Sequence, residues 1–267
     1  MRRINKSSAP RSLLTYAAFA KKIGASYDEI DTPIKDILRA FLLKEQHGLC
    51  AYCQQPLKVN NAIHQKILKL DKVIIPLIGK ETIPTLLAGE ELAELEKDRD
   101  RVKIEHHCER SVCNGTNGTK DKRLDYSNLF VVCLGETSHK EARADESTTY
   151  RHCDTLKSDF DKTNGLPIDI KPTISSHITT ISYRSGIIKS SNEQHNDEIN
   201  RILGLNVPPL KKMRKKLWND IYKYSRRKSG EIDKNKMKKL IASNLDQKEG
   251  YFTHPFPALS EYMQKYC

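Results

Sequence analysis

Four cysteines stand on either side of a Glu-His pair in this chain of 267 residues. Cys50 and Cys53 form a Cys-x2-Cys knuckle, and Cys133 and Cys153 follow much later in the sequence. Thiolates are common zinc ligands, and one shared ion can join segments that are far apart in sequence. The pattern therefore predicts a closed zinc site of four thiolates. Such a site is structural, because no ligand position stays open for water.

The last two zinc ligands are less tightly specified than the first two, because the gap between them is wider than in an ordinary knuckle. His139 or His152 could replace a cysteine, and Cys108 and Cys113 offer a further pair. The simpler alternative is that several of these residues are buried thiols without a metal.

Glu105 and His106 are the residue types that hydrolysis of a phosphodiester bond requires. That reaction needs a base to take a proton from water and a divalent cation to neutralise charge on the phosphate. Adjacent side chains on a regular strand point to opposite faces, so a bend is expected if both serve one site. Glu105 and His106 could also be a pair of ordinary surface residues. His107 is a rival base that would face away if His106 faces in.

Three further polar residues complete the candidate site. Asn128 could brace a loop through its amide, or it could be an ordinary capping residue. Asp154, directly after the last predicted zinc ligand, would be a second carboxylate for a divalent cation. Lys157 lies one helical turn further on, and it could contact a phosphate or be solvated surface.

The elements that must position these residues follow from apolar periodicity and from helix end signals. The pattern predicts helices over 13–23 and 32–47, the second ending at Gly48 just before the knuckle. Residues 58–100 are typical of a helical insertion, and Val102–His106 of a short strand. The run from Ser127 to Cys133 favours a short helix or strand end, and a helix should begin at Cys153.

From about residue 165 the pattern changes. A hairpin over 178–189 and a helix over 193–203 precede a long basic helical stretch between residues 211 and 239. The predicted fold is α+β and mostly helical. Three parts are expected: an N-terminal helical arm (1–48), a central part with its insertion (49–160), and a C-terminal hairpin with the basic region (165–267).

The charge of the chain favours a polyanionic partner, with nucleic acid ahead of a membrane. The formal net charge is +12, and the 211–239 stretch carries thirteen Lys and Arg against three acidic residues. No export or membrane-spanning segment is evident, so a cytoplasmic location with reduced cysteines is expected. The expected phosphate contacts, besides Lys157, are Lys211, Lys212, Arg214, Lys215, Lys216, Arg226 and Arg227.

The motifs resemble those of an HNH endonuclease with a zinc-supported ββα-metal core. They are most similar to the HNH subunit of Septu-type and retron-associated anti-phage systems. The resemblance covers most of the chain, and it rests on these motifs: Cys50-Ala-Tyr-Cys53, Ile104-Glu105-His106, Asn128-Leu129, His152-Cys153-Asp154-x-x-Lys157, Ile181-Ser-Tyr-Arg-Ser-Gly-Ile187, and Leu203 to Leu210 with Arg214.

The resemblance implies a role for each site residue. His106 would be the general base and Asn128 its brace. Glu105 and Asp154 would hold a catalytic Mg²⁺ or Mn²⁺, and the four cysteines would hold Zn²⁺. Many members of the family carry Asn or His after the last cysteine, so His152 is an alternative to Asp154.

The resemblance also implies partners. Relatives of this kind act beside an ATPase subunit, and the retron-linked versions also act with a reverse transcriptase and its RNA-linked DNA. The expected function is cleavage of nucleic acid, with DNA as the expected substrate. The alternatives are a zinc-containing nucleic-acid-binding module without chemistry, and a scaffold that only docks an ATPase.

Overall fold

The computed structural model describes residues 1–80, 87–116, 120–136, 150–158 and 168–267. Within these ranges the chain is α+β, with helix as its main element and three separate two-stranded antiparallel sheets. The predicted fold class is therefore confirmed at that level. No helix in the described ranges combines the length and the apolar character needed to cross a membrane.

Among the described residues, α-helices are the main elements before the first strand. They are α1 (Arg11–Ile23), α2 (Thr32–Glu45), α3 (Asn61–Lys69), α4 (Asp71–Ile74) and α5 (Gly89–Arg101). Helix α1 ends at Gly24, whose φ of 74° is the left-handed conformation that glycine tolerates best. The two predicted N-terminal helices are thus confirmed, and α3, α4 and α5 form the predicted helical insertion.

A two-stranded sheet and a helix start carry most of the candidate site. Strand β1 (Lys103–His106) pairs antiparallel with β2 (Leu129–Val132), so that Glu105 lies opposite Phe130. All residues of β2 are buried, because α2 packs against this strand. A strand covered on both faces has a continuous apolar sequence, as this one does. A 3-10 turn (Tyr126–Asn128) leads into β2, and residues 154–158 are helical and are called α6.

The C-terminal part consists of a hairpin and several helices. Its elements are α7 (Ser175–Thr179), β3 (Ile181–Arg184), β4 (Ile187–Ser190), α8 (Glu193–Asp197) with a π-helical turn (Glu198–Ile202), α9 (Pro208–Ser225), α10 (Lys234–Asn244), β5 (Gln247–Lys248), β6 (Tyr251–Phe252) and α11 (Pro257–Met263). The predicted hairpin is confirmed.

The basic stretch between residues 211 and 239 is not one helix. Helix α9 ends at Ser225, and α10 begins only at Lys234. A turn separates them, in which the Gly230 amide donates to the carbonyl of Arg227 and Gly230 has a φ of 89°. The chain leaves the helix at Arg226, whose ψ of 141° is extended, and the left-handed conformation of Gly230 then allows the turn toward α10.

The three predicted parts share one hydrophobic core. Leu38, Val131 and Leu259 come from the three parts, and all three are fully buried in the same cluster of apolar side chains. The proposed boundaries stay a prediction, but they do not separate independent cores.

Arg214 was predicted to contact nucleic acid, and this prediction is wrong. The side chain is buried, with 2% of its surface exposed. Its guanidinium donates to the carbonyl oxygen of Gly186 at 2.8 Å, to that of Leu205 at 2.5 Å and to Oδ1 of Asn206 at 3.1 Å. Arg214 therefore joins the β3–β4 turn to the segment before α9, because these acceptors replace the water that its charge would otherwise need.

We expect Arg214→Met to lower the free energy of unfolding by about 3 kcal/mol, because it leaves these buried acceptors without a donor. Lys212→Met is the matched control, since Lys212 lies on the same helix and is exposed. Its effect should stay within about 0.5 kcal/mol. Urea unfolding of both variants measures the difference, and equal effects would contradict the structural role of Arg214.

Candidate metal centre and adjacent polar site

Four cysteine sulfurs converge in the core, as the sequence predicts. Those of Cys50, Cys53, Cys133 and Cys153 all lie within 4.8 Å of one another. The separation is 3.7 Å between Cys50 and Cys153, and 3.8 Å between Cys53 and Cys133. A tetrahedron with metal–sulfur bonds of about 2.3 Å has edges of about 3.8 Å. The cluster therefore has the dimensions required to hold a metal ion such as zinc.

The first two sulfurs are positioned by docking of the knuckle on β2. The Ala51 amide donates to the carbonyl of Val131 at 3.1 Å. Gln46 lies just after α2, and its buried side-chain amide also bonds to Val131. It donates to the carbonyl of Val131 and accepts from the N–H of Val131. At the end of the knuckle Gln54 has a φ of 66°, which turns the chain back toward the core. Cys133 follows β2 directly, so this docking brings the knuckle to it.

The last sulfur is positioned by a close crossing of three segments. Cys153 has a φ of 54°, and its amide donates to the carbonyl of Leu203 at 2.8 Å. A Cβ on Gly135 would lie only 2.1 Å from the carbonyl oxygen of His152, and one on Gly204 only 2.9 Å from that of Arg151. Only glycine permits this approach, which places Cys153 in the cluster and Asp154 just beyond it.

The thiols of the cluster interact strongly with one another. Burial raises the pKa of Cys53 and of Cys153 well above the usual value. Hydrogen bonds from the other three thiols lower the pKa of Cys133 well below it. Four buried thiolates without a cation would repel one another, so a bound divalent cation is the simplest way to hold all four deprotonated.

The alternative ligands lie outside the cluster or beside it. His152 Nδ1 is 3.1 Å from the sulfur of Cys153 and 4.0 Å from that of Cys133, so it is a hydrogen-bonding neighbour of the four sulfurs. Cys108 and Cys113 form a disulfide with each other. The expectation that these two cysteines are reduced is therefore wrong. His139 lies outside the described residues.

A second polar site lies one residue away from the cluster, at the start of α6. The carboxyl groups of Glu105 and Asp154 lie close enough to influence each other's ionisation. Lys157 Nζ lies 2.8 Å from Oε1 of Glu105, and the Tyr52 hydroxyl donates to the same oxygen at 3.4 Å. Tyr52 stands between the two cysteines of the knuckle, so its position could have indicated a role, but the sequence analysis assigned it none.

Lys157 was predicted either to contact a phosphate or to be solvated, and both predictions are wrong. Its side chain is fully buried. Besides its ion pair with Glu105, its ammonium group donates to the carbonyl of His106 at 3.2 Å. A buried lysine needs such partners, because an ammonium removed from water without them is strongly destabilised.

The two carboxyl groups have opposite pKa shifts. Burial raises the pKa of Glu105 well above its usual value; the positive charge of Lys157 opposes this and the bond to Asp154 adds to it. Burial also acts against ionisation of Asp154, but the hydrogen bond from Glu105 and the charges of Lys103 and Lys157 keep its pKa below the usual value. Asp154 is therefore the more acidic of the two groups, and a pair of carboxylate oxygens can also ligate a divalent cation.

His106 faces a different set of neighbours from Glu105. Its Nε2 donates to the carbonyl of Arg123 at 3.0 Å, and its ring stands edge-on to that of Tyr27 at 4.4 Å. A carbonyl accepts only, so this bond places the proton on Nε2 and leaves a lone pair on Nδ1. Burial is the main reason why the pKa of His106 is lowered to about 4, so the ring is neutral near pH 7.

The predicted bend that would bring Glu105 and His106 together is not seen. Both residues belong to the regular pairing of β1 with β2. Among the described residues, Glu105, His106 and Asp154 do not form a group whose ligand atoms all lie within 4.8 Å of one another. His106 is therefore not a third ligand of the same tight group, and its assignment as a base stays a prediction.

His107, the rival base, points into another part of the core. Its Nε2 donates to the carbonyl of Ile170 at 3.0 Å, and its ring packs against that of Phe130 at 6.2 Å. Burial lowers the pKa of His107 to about 3. The side chain thus tethers residue 170 to the end of β1.

Asn128 has the bonding pattern of a brace. Its Oδ1 accepts from the amide of Cys108 at 2.8 Å, and its Nδ2 donates to the carbonyls of Cys108 at 3.0 Å and Lys122 at 3.2 Å. Its own carbonyl accepts from the His107 amide at 2.8 Å. The residue therefore closes both ends of the loop that follows the two histidines, and its catalytic role stays a prediction.

The predicted phosphate contacts on α9 and the following turn fall into three groups. Arg214 is buried and Lys211 is half-buried. The exposed cations, which stay candidates for contact with a polyanion, are Lys212, Lys215, Lys216, Arg226 and Arg227.

Asp169, His177 and His195 form a second group with metal-binding side chains, which the sequence analysis did not identify. Nε2 of His195 lies 2.7 Å from Oδ2 of Asp169, and Nδ1 of His177 accepts from the Lys171 amide at 3.2 Å. Hydrogen bonds occupy one nitrogen of each ring and the carboxylate. The two bonds share no residue, and the two histidine rings pack on each other at 4.5 Å between centroids; the three residues come from segments that carry no common motif.

We expect the purified chain to contain about one equivalent of bound metal, and Cys153→Ser to lose most of it and to unfold at a lower temperature. Cys267→Ser is the matched control, since Cys267 is a half-buried free cysteine outside the cluster. Elemental analysis and thermal unfolding measure both effects. Metal-free wild-type protein of unchanged stability would show that the sulfurs do not need an ion.

We expect Asn128→Ala to lower the free energy of unfolding by about 2–4 kcal/mol, because it leaves buried backbone groups of Cys108 and Lys122 without partners. Asn219→Ala, at an exposed position of α9, should change it by less than about 0.5 kcal/mol. Urea unfolding compares the two variants. Similar values for both would contradict the brace.

Comparison of the chain with protein-family models, with curated proteins and with solved structures finds no match. The resemblance carried by the motifs therefore stays a prediction, and what supports a function is the geometry of the cysteine cluster and of the polar site beside it.

Proposed function

We propose that this chain is a metal-dependent HNH endonuclease that cleaves phosphodiester bonds of nucleic acid, with DNA as the expected substrate. The observation that carries the proposal is that the carboxyl groups of Glu105 and Asp154 are neighbours, held there by the buried contact of Lys157 Nζ with Glu105 at 2.8 Å. These residues are distant in sequence, and they meet in the core directly beside the cysteine cluster. The motif resemblance assigns the same two positions to the catalytic cation.

The proposal assigns a structural Zn²⁺ to the cysteine cluster. Four thiolates complete a tetrahedral site and leave no position for water or substrate. Separation of the Cys50 and Cys153 sulfurs by 3.7 Å supports this ion, because it matches a zinc–thiolate tetrahedron. The task of this site is to hold the knuckle, the end of β2 and the start of α6 together.

Glu105 and Asp154 fit a divalent cation such as Mg²⁺ or Mn²⁺. Oxygen ligands are what these ions prefer, and Asp154 is already the more acidic of the pair. With both groups ionised, Lys157 beside Glu105 and Lys103 at 3.7 Å from Asp154 offset the two negative charges, so a bound cation would compete with these lysines for the carboxylates. The bound ion would neutralise charge on the phosphate and on the leaving oxygen.

His106 is suited to take a proton from the attacking water. Its bond to the carbonyl of Arg123 fixes the tautomer and directs the lone pair of Nδ1 away from that contact. Burial keeps the ring neutral near pH 7, so that it can accept a proton. Tyr27 packs against the ring and limits its rotation.

One observation favours the second candidate, a zinc-containing module that binds nucleic acid or docks a partner without chemistry. The ion pair of Lys157 with Glu105 is fully buried. A buried network of this kind also occurs where its only task is to fix a fold. In that case the exposed cations of α9 would supply nucleic-acid binding.

The cellular setting that we propose is the one implied by the motif resemblance. The chain would act in the cytoplasm as the effector subunit of an anti-phage complex with an ATPase. In a retron-linked system, a reverse transcriptase with its RNA-linked DNA would be a further partner.

Plasmid nicking in Mg²⁺ or Mn²⁺ tests the proposal. Glu105→Gln and His106→Ala should each reduce the rate by about 100-fold or more, because one removes a charged ligand and the other the base. His254→Ala is the matched control, an exposed histidine outside the site. The assay includes the chain alone and together with any ATPase encoded beside it.

Zinc content and thermal unfolding of each variant show whether it is folded. Cleavage by folded Glu105→Gln and His106→Ala at the wild-type rate would refute the catalytic assignment. Salt-sensitive binding without any cleavage, in every form of the assay, would favour the second candidate.

A further inference from the structure

A run of aromatic rings lies on the surface formed by α9 and the C-terminal end of the chain. Trp218 is 5.5 Å from Tyr222 and 6.1 Å from Tyr266, measured between ring centroids. Tyr266 is 6.1 Å from Tyr262. The first two rings and Tyr262 are half-buried, and 46% of Tyr266 is exposed. We call these four residues the aromatic strip.

Cations border the aromatic strip on two sides. Lys211, Lys215, Trp218 and Tyr222 follow one another at helical spacing, so they share one face of α9. The β3–β4 turn packs on the same face, since a Cβ on Gly186 would lie 2.6 Å from the backbone nitrogen of Lys215. This turn brings in the exposed Arg184, whose charge acts on Tyr266.

At its other end the strip opens into a cleft of about 560 Å³. Tyr262 lines this cleft together with Arg3, Lys265 and hydroxyl-bearing residues of α7. The ammonium of Lys265 lies 4.6 Å from the centre of the Tyr262 ring. Arg2 also lines the cleft, where it pairs with Glu261.

We propose that the aromatic strip and this cleft bind an unpaired stretch of nucleic acid. Sites for single strands combine exposed aromatic rings, on which bases stack, with cations that follow the phosphates. In a duplex the bases already stack on one another, so exposed rings give such a surface a preference for unpaired strands. This inference rests on the proposed function and deepens it by naming the form of the substrate.

The charge balance favours nucleic acid over an apolar protein segment as the occupant. The carboxylate side chains on these elements are already paired, Glu261 with Arg2 and Asp220 with Lys216. The cations that remain beside the rings are exposed or half-buried, namely Arg3, Arg184, Lys211, Lys215 and Lys265. A run of cations beside rings attracts a polyanion that also has flat apolar faces.

Trp218 allows a direct test, because it is the only tryptophan of the 267 residues. The wild-type chain is titrated with unlabelled oligodeoxythymidine or oligouridine of about 12 nucleotides, and with a duplex of equal length, without Mg²⁺ or Mn²⁺. We expect single strands to quench the tryptophan emission and to bind more tightly than the duplex. The single strand that binds with the higher affinity shows whether the site prefers deoxyribose or ribose.

Tyr266→Ala should weaken single-strand binding by about tenfold, as expected for the loss of one stacked base. Tyr224→Ala is the matched control, since Tyr224 lies on the same helix, is 55% exposed and is outside the strip. Replacement of both Arg3 and Lys265 by Ala should lower the slope of log affinity against log salt by about 0.7 for each phosphate contact that is lost. Thermal unfolding confirms that each variant is folded.

Absence of quenching, or wild-type affinity of folded Tyr266→Ala, would overturn the inference. Failure of this inference is distinguishable from failure of the proposed function, because the two are measured separately. Binding is measured without divalent cations, whereas cleavage is measured by comparing the wild-type chain with Glu105→Gln. Quenching without cleavage would leave the strip as a binding site and refute the nuclease. Cleavage without quenching would leave the nuclease and refute the strip.

Discussion

The meeting of four sulfur atoms in the core is the constraint on which the rest of the structure depends. It joins the knuckle, the end of β2 and the start of α6, and the hydrogen bonds of Ala51 and His152 support the same arrangement. The polar site follows from it, because Asp154 is one peptide unit beyond Cys153 and Tyr52 stands inside the knuckle. Placing Cys153 at the end of β2 therefore also places Asp154 against Glu105 of β1. One metal ion bound by the four sulfurs would therefore fix both the cysteine cluster and the polar site beside it.

Residue chemistry made the cysteine cluster predictable. Few residue types bind zinc, so Cys50, Cys53, Cys133 and Cys153 could be grouped without knowledge of the fold, and the structure brings them together. Local signals were equally informative at helix ends such as Gly24, where the left-handed conformation follows from the residue itself. In both cases the controlling interaction belongs to the residue type or to its immediate neighbours.

The errors concern residues whose surroundings come from distant segments. Lys157 and Arg214 carry charges that normally stay in water, and nothing near them in sequence indicates burial. Their partners are Glu105 on β1 and the carbonyls of the β3–β4 turn. The packing of His106 against Tyr27 is of the same kind. Charge therefore showed that partners were needed but did not identify them, which led the sequence analysis to assign both cations to nucleic acid.

The distribution of side chains over the two faces of β1 has a consequence for any chemistry here. Glu105 faces α6 and the cysteine cluster, whereas His106 faces Tyr27 and the loop that Asn128 closes. A carboxylate and a base that act on one water would have to reach it from these two sides. The cysteine cluster would then fix one side and Asn128 the other, with β1 as their common support. The strand is short and fully paired with β2, so a displacement of either support would be transmitted through the peptide unit that joins Glu105 to His106.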